Sequence, residues 1–354
     1  MPEETGLRRL SLDYLLIFIP IALALYWFQA NPLLVFGMAA LTIVPLSKIV
    51  GSSTETLGTY LGPTLGGLLN ASMGNAPELI IGVFALKNGL ITVVKASLTG
   101  SIIGNLLLTL GLAMFAGGLR YPSQKFNVKS ARLSMSMMFL AVAGLMVPAL
   151  FHFTSRNAEH EISVEIAAVL LLVYVLSLVY TLFTHRKMFE VSEPTELEVV
   201  KTHSWKIALG LLAAATLVLA LMSEILTDAL DPATKQLRIN DVFAGIILLA
   251  TVSNISEMMN AVVFARKNQM DLAVSSVIGA ATQIALFVAP ALVLASLLLP
   301  TPMDLLFSRL ELVALIISVL TARNMTIDGK SDWLEGAMLI AVFVMLGIGF
   351  FYAS

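Results

Sequence analysis

The chain has 354 residues, of which 58% are hydrophobic and only 12% charged, with a mean hydropathy of +0.90 and a formal net charge of −2. Soluble domains carry about a quarter of their residues as charged groups, so the composition excludes an ordinary soluble globular protein. The near-zero net charge leaves no footprint for nucleic acid, and the absence of cysteine excludes disulfides and thiolate metal centres.

The amino terminus carries Arg8 and Arg9 ahead of an apolar run that begins at Leu15. The run is long enough to span and no small-residue cleavage site follows it, so it reads as an uncleaved first helix and not as a removed signal peptide. Further runs of about twenty apolar residues, cut by Pro, Gly, Asn and charge clusters, make the fold class an all-α polytopic membrane protein. About 11 transmembrane helices are predicted, near 11–29, 32–50, 62–87, 91–118, 130–153, 161–184, 204–226, 239–265, 271–299, 303–322 and 332–353, with ten as the alternative count. On alternate connections, fifteen Lys and Arg fall on the amino-terminal side and six on the other. That bias predicts a cytoplasmic amino terminus and a carboxyl terminus outside. Small size and no targeting extension point to a prokaryotic plasma membrane, with an organelle membrane as the alternative.

Two apolar stretches 179 residues apart carry the same polar insert, Gly74-Asn75-Ala76-Pro77-Glu78 and Ser253-Asn254-Ile255-Ser256-Glu257. Each places an Asn three residues before a Glu, with a glycine 22 residues after that Glu, at Gly100 and Gly279. The two Glu fall on the third and eighth predicted spans, so the copies cross the membrane in opposite senses, as an inverted repeat of five helices each. The expected organisation is an extra helix over 1–30, a first repeat over 31–184, an acidic cytosolic linker over 185–203 and a second repeat over 204–354. The linker holds Glu190, Glu193, Glu196 and Glu198 beside Arg186, Lys187 and Lys201. Its plain reading is a solvated connection, and its functional reading a segment that gathers or senses cations.

A carboxylate at the centre of a membrane helix costs at least about 2.5 kcal/mol, so two at matched positions point to a site for a cation. Helix positions three apart share a face, which places Asn75 with Glu78 and Asn254 with Glu257. Pro77, with Gly74 and Gly82 nearby, predicts a kink or break beside Glu78 and a freed backbone carbonyl. On the following helices, Ser101 and Asn105 are four apart, as are Gly279 and Gln283. Ser101, Asn105 and Gln283 are therefore further candidates for the site, whereas close helix packing explains the matched pair Ser97 and Ser276. Calcium takes about six to eight oxygen ligands. Two Glu, two Asn, a freed carbonyl and water would supply such a shell, and two carboxylates balance the charge. Once the ion leaves, burial and mutual repulsion drive at least one carboxylate to take up a proton. Competition of that kind is what obligatory exchange requires.

At these residues the chain resembles the calcium/proton exchanger branch of the calcium/cation antiporter superfamily. The run Gly74-Asn75-Ala76-Pro77-Glu78-Leu79-Ile80, then Ala85-Leu86, Val94-Lys95-Ala96-Ser97-Leu98-Thr99-Gly100-Ser101-Ile102 and Asn105-Leu106-Leu107-Leu108, is similar to that branch's first repeat motif. In the second repeat Asn254, Glu257, Ala261-Val262, Lys267-Asn268, Asp271-Leu272, Gly279 and Thr282-Gln283-Ile284 match similarly. Ser253 and Met258 depart from the glycine and histidine of the family's second motif, and Gly279-Ala280 from its Gly-Ser pair. Met258 carries no exchangeable proton, so any role of that histidine is absent here. The resemblance implies alternating access, with Glu78 and Glu257 binding Ca2+ on one side and protons on the other. It also implies that Asn75 and Asn254 serve as carbonyl ligands, that Ser101, Asn105 and Gln283 support them, and that cytosolic Ca2+ leaves against its gradient.

The expected cargo is thus Ca2+ and H+, with the lipid bilayer as solvent, no nucleic acid partner and no resident cofactor; a homo-oligomer is left open. No enzyme activity is expected, since the chain has no His-Glu-x-x-His run and no cluster of loop aspartates. The alternatives are the same fold exchanging Na+, K+ or Mn2+ with H+, and an uncoupled cation channel. His152, His160, His185 and His203 sit in or beside polar connections and are not expected to hold metal. Glu55 and Glu224 read as solvated helix ends, Glu311 as a partner of Arg309, and Met135, Met137, Met138, Met258 and Met259 as packing.

Overall fold

Short polar residues placed just ahead of the apolar runs set where the helices start. Asn31 accepts the Leu33 amide at 2.9 Å in front of Pro32, whose missing N–H costs nothing in a first turn. Asn127 takes up the amides of Lys129 and Ser130, and Asn240 that of Phe243. Ser308 with Glu311, and Asp332 with Glu335, close reciprocal capping boxes. The computed structural model describes residues 12–152, 159–185 and 204–353. In chain order its helices are α1 (Phe18–Trp27, entered through a 3-10 turn at Leu12–Ile17), α2 (Pro32–Met73), α3 (Ala76–Lys87) and α4 (Ile91–Gly118). Then follow α5 (Val128–Phe151), α6 (Glu159–Val179, prolonged by a π-helical turn at Tyr180–Thr184) and α7 (Trp205–Leu237). The last four are α8 (Asp241–Arg266), α9 (Met270–Ser296), α10 (Arg309–Met325) and α11 (Trp333–Tyr352). Arg8, Arg9, Arg156, His203 and the acidic connection from Arg186 to Lys201 lie outside the described residues.

Among the described residues, eight helical segments are long and apolar enough to cross a membrane, against the expected eleven. The shorter segments are Tyr14–Trp27, the stretch around Glu78, which is broken, and α10, whose 17 residues begin at Arg309 because residues 301–308 are not helical.

Two further departures concern polar residues. The connection expected after residue 50 is helix instead: α2 runs through Lys48 and Glu55 to Gly62. It can do so because the hydroxyls of Ser52, Thr54, Thr56 and Thr59 bond carbonyls of their own helix. Thr54 donates to the Val50 carbonyl and Thr56 to that of Ser52, each at 2.8 Å. At Gly62, φ is 80° and ψ 173°, so the chain turns into its next helical stretch without a loop. Glu224 is likewise no helix end, since α7 continues to Leu237 and the carboxylate pairs with Lys87 at 2.9 Å.

Two apolar clusters organise the packing. One joins α1, α2 and α7, through residues such as Ala39, Ile43, Leu219 and Leu226. The other fills the space among the remaining helices, around Leu106, Leu110, Met138 and Leu286. Leu172, Val175 and Leu176 on α6 face outward, as a helix bathed in hydrocarbon allows. A two-stranded antiparallel ladder, β1 (Gln124–Lys125) with β2 (Lys330–Ser331), ties the α4–α5 connection to the α10–α11 connection.

Candidate cation site

The Glu78 segment is broken, and the break lies ahead of the proline. α2 ends at Met73, Asn75 has non-helical φ/ψ of −105° and 20°, and α3 begins at Ala76 with Pro77 in its first turn. Pro77 is therefore no interior kink; it starts a half-helix, where its missing N–H is harmless. It still offers no amide to the Met73 carbonyl, as expected of the freed carbonyl. The expectation that Asn75 and Glu78 share the face of one helix is corrected, because Asn75 stands at the break. Glu78 falls in the first turn of α3, where the helix macrodipole favours a carboxylate. Asn254 and Glu257 do lie on continuous helix, within α8.

Helix crossing brings the two Glu segments together. Gly100 on α4 lies against the backbone of Ile246 on α8, and Gly245 on α8 lies against Ala96, Val93 and Ser97 on α4. Each glycine occupies a point where a β-carbon would collide with the other helix, and this reciprocal contact carries the start of α8 onto α4. Three π-helical turns flank the junction, at Gly104–Thr109, Ala244–Leu249 and Ile284–Val288. The first contains Asn105 and the last follows Gln283. Such bulges re-aim side chains and recur at functional sites.

The side chains exchange partners across this junction. Asn75 Nδ2 donates to Gln283 Oε1 at 2.5 Å. Asn254 Nδ2 donates to Ser101 Oγ at 2.8 Å, and Asn105 Nδ2 donates to Asn254 Oδ1 at 3.2 Å. Each motif Asn thus reaches the helix that follows the other Glu. Glu78 faces Glu257 and Ser253, and Glu257 faces Asn105. Asn75, Glu78, Ser101, Asn105 and Asn254 are all buried. Four oxygens here, Asn75 Oδ1, Glu78 Oε2, Asn105 Oδ1 and Glu257 Oε2, are buried with no hydrogen-bond partner. Buried polar atoms are normally satisfied, so four orphaned acceptors in one place make an electronegative cluster suited to a hard cation or to protons. Among the described residues no group of three or more His, Cys, Asp or Glu gathers, so two carboxylates and neutral amides make up this cluster.

All seven predicted site residues stand at this junction, but their parts differ from the expectation. Asn254 has its oxygen engaged by Asn105 and its amide spent on Ser101, Ser253 and the Ala250 carbonyl. The free amide oxygen on that side belongs to Asn105. Two cavities flank the Asn254–Ser101 hydrogen bond: one lined by Glu78, Ser97, Ser101, Ser253 and Leu292, the other by Gly104, Thr109, Thr251, Asn254 and Met258. Ser253, which opens the second insert but is not among the expected site residues, accepts from Asn254 Nδ2 at 3.1 Å and lines the cavity beside Glu78. Gly245, a glycine in an apolar stretch, is not among the residues that the polar inserts single out. Ser276 stays away from the site, bonding only its own helix at Ala273. Glu311 is a buried cap residue that accepts from Thr99 at 3.3 Å.

The helical bundle and the oxygens gathered inside it define the class of polytopic membrane transporters. The chain belongs to the sodium/calcium exchanger protein family, whose model matches residues 31–183 and 207–352. It is 44% identical to a Ca(2+)/H(+) antiporter of Aphanothece halophytica, over 96% of this chain and 95% of that one. It is also 42% identical to the Ca(2+)/H(+) antiporter ChaA of Bacillus subtilis, over 89% of this chain and 91% of that one. Among solved structures it resembles the Ca2+/H+ antiporter protein YfkE, with a TM-score of 0.84, 36% identity, and coverage of 97% of this chain and 100% of that one.

Proposed function

We propose that this chain is a secondary active antiporter that exports cytosolic Ca2+ in exchange for H+, and is not an enzyme. The observation that carries the reading is the set of four unpartnered buried oxygens on Asn75, Glu78, Asn105 and Glu257. Two carboxylates neutralise a divalent ion, and the two amide oxygens add neutral oxygen ligands of the kind calcium takes. With the ion gone, the buried oxygens of Glu78 and Glu257 are left without a counter-charge, and protons are the cargo that can take its place. The same oxygens therefore serve either cargo in turn. Asn254 and Gln283 hold Asn105 and Asn75 by their amides, leaving the oxygens of those two residues turned to the ion. Ser101 anchors Asn254. The Asn254–Ser101 hydrogen bond, with a cavity at either end, is a thin partition across which access alternates.

The bacterial relatives support a plasma membrane, and the Lys and Arg bias supports an amino terminus in the cytoplasm. An inverted pair of five-helix units, 31–184 and 204–354, is supported by the reciprocal contacts of Asn75 with Gln283 and of Asn254 with Ser101 and Asn105. Calcium uptake into proteoliposomes under an imposed pH gradient tests the proposal. The native chain should accumulate calcium only while the gradient lasts, and Glu78→Gln or Glu257→Gln should abolish uptake. Uptake that persists in both variants would remove the paired carboxylates from the mechanism.

A further inference from the structure

At one end of the bundle three short connections are locked together. The ladder pairs Gln124 with Ser331 and Lys125 with Lys330. Gln124 and Ser331 are buried, and Gln124 Nε2 donates to the Ala265 carbonyl at 2.8 Å and to Asn268 Oδ1 at 3.0 Å, which draws in the α8–α9 connection. Strand alternation then turns Lys125 and Lys330 outward on the same face, directly opposite each other. Like charges so placed destabilise a strand pair. No ion pair among the described residues relieves them.

The carboxylates nearby are committed to backbone amides. Asp328 accepts from the Lys330 N–H at 3.1 Å, Asp271 from the Asn127 N–H at 2.8 Å, and Asp332 from Leu334 and Glu335 at 2.8 and 3.0 Å. Arg120, Lys129, Arg266 and Lys267, all exposed, add to the positive rim. Large apolar side chains share it: Leu119 is 67% exposed, Ile327 59% and Trp333 49%. Basic heads beside exposed Leu, Ile and Trp suit the layer where lipid headgroups meet hydrocarbon, and not a wholly aqueous partner.

We propose that this rim binds the phosphate of an anionic phospholipid headgroup, gripped between Lys125 and Lys330, with Leu119, Ile327 and Trp333 against the acyl chains. The bound lipid offsets the repulsion built into the ladder and so clamps the α4–α5 connection to the α10–α11 connection. Placing this lipid in the cytoplasmic leaflet rests on the orientation proposed above; the site itself does not.

The test counts lipids retained by the full chain, purified in neutral detergent and supplied with equal phosphatidylglycerol and phosphatidylcholine, using native mass spectrometry. The native chain should retain phosphatidylglycerol several-fold over phosphatidylcholine. The double variant K125Q/K330Q should lose most of that preference, while Lys235→Gln, in the last turn of α7, should keep it. Since the double substitution removes a repulsion, its melting temperature in phosphatidylcholine should equal or exceed the native value, so misfolding cannot mimic the result. Equal retention of both lipids by the native chain, or a preference that survives K125Q/K330Q, would overturn the proposal. Millimolar inorganic phosphate separates the two sources of the same chemistry: retention that survives it supports a lipid, and displacement assigns the site to a free anion and overturns the lipid assignment. The readout needs no transport, so it fails or succeeds independently of calcium exchange.

Discussion

Substituting Gly100 with alanine sets a methyl group against the main chain of Ile246. The added β-carbon meets the Ile246 Cα and carbonyl oxygen, and lies 2.8 Å from its carbonyl carbon. These are backbone atoms, so no rotamer change makes room and the start of α8 must move away from α4. Overpacking of this kind costs about 1–3 kcal/mol, against a gain of about 0.5–1 kcal/mol for replacing a mid-helix glycine by alanine. The net expectation is a loss of about 1–2 kcal/mol, or roughly a five- to thirtyfold fall in the folded-to-unfolded ratio. One turn further on, Gly104 has no atom within 4 Å of where its β-carbon would stand, so Gly104→Ala should show the helix gain alone. Thermal unfolding of the two purified variants in the same detergent measures the difference. Gly100→Ala should melt below the native chain and Gly104→Ala at or above it. The displacement also stretches the 2.8 Å Asn254–Ser101 bond, so Gly100→Ala should lose calcium affinity as well. Equal melting temperatures for the two alanine variants would refute the claim that this crossing is closed by the lack of a side chain.

Lys95 is 13% exposed and bonds Asp304, itself 36% exposed, and the Leu306 carbonyl, which pins the loop before α10. Asp304→Asn removes the counter-charge of the more buried Lys95 and should destabilise by about 1–3 kcal/mol, more than Lys95→Met does; equal melting temperatures would contradict this. Gly62, with φ 80° and ψ 173°, occupies a backbone region that is essentially glycine's alone. Gly62→Ala should therefore cost about 1–3 kcal/mol despite the open space around it, and an unchanged melting temperature would show that the bend relaxes freely. Asn254→Ala removes the side chain that holds both Ser101 and Asn105, and should lower apparent calcium affinity roughly 10- to 100-fold while Glu78 and Glu257 remain. Native-like affinity in a calcium titration would leave Asn105 oriented by something else.

Much of the site was legible because membrane burial makes polar residues informative. Glu78 and Glu257, with an Asn three residues before each, stand out against apolar surroundings, and their shared 179-residue offset is a count that needs no coordinates. Asn105 and Gln283 were legible for the same reason. Lys48 and Glu55 misled, because a charge inside a run of hydroxyl residues looks like a connection. Side-chain bonds such as Thr54 to Val50 let the helix absorb it. The break beside Glu78 is legible from Pro77 and Gly74, but not that Pro77 starts a new half-helix, since proline marks a disturbed helix but does not say whether it ends one segment or begins the next.

The sequence alone determined the membrane class, the approximate positions of the helices and the identity of the polar residues inside them. Each follows from a local property, the transfer cost of a side chain or the reach of a cap, that neighbours in the chain suffice to set. Tertiary structure decided which amide is free. Asn254 and Asn105 are chemically alike and equally buried in sequence terms, and only the crossing of α4 with α8 at Gly100 and Gly245 sets their pairing. That crossing uses up the Asn254 oxygen and leaves the Asn105 oxygen unpartnered. The opposition of Lys125 to Lys330 is a tertiary fact of the same kind, because register between strands about two hundred residues apart depends on what Gln124 and Ser331 bury and not on the lysines themselves.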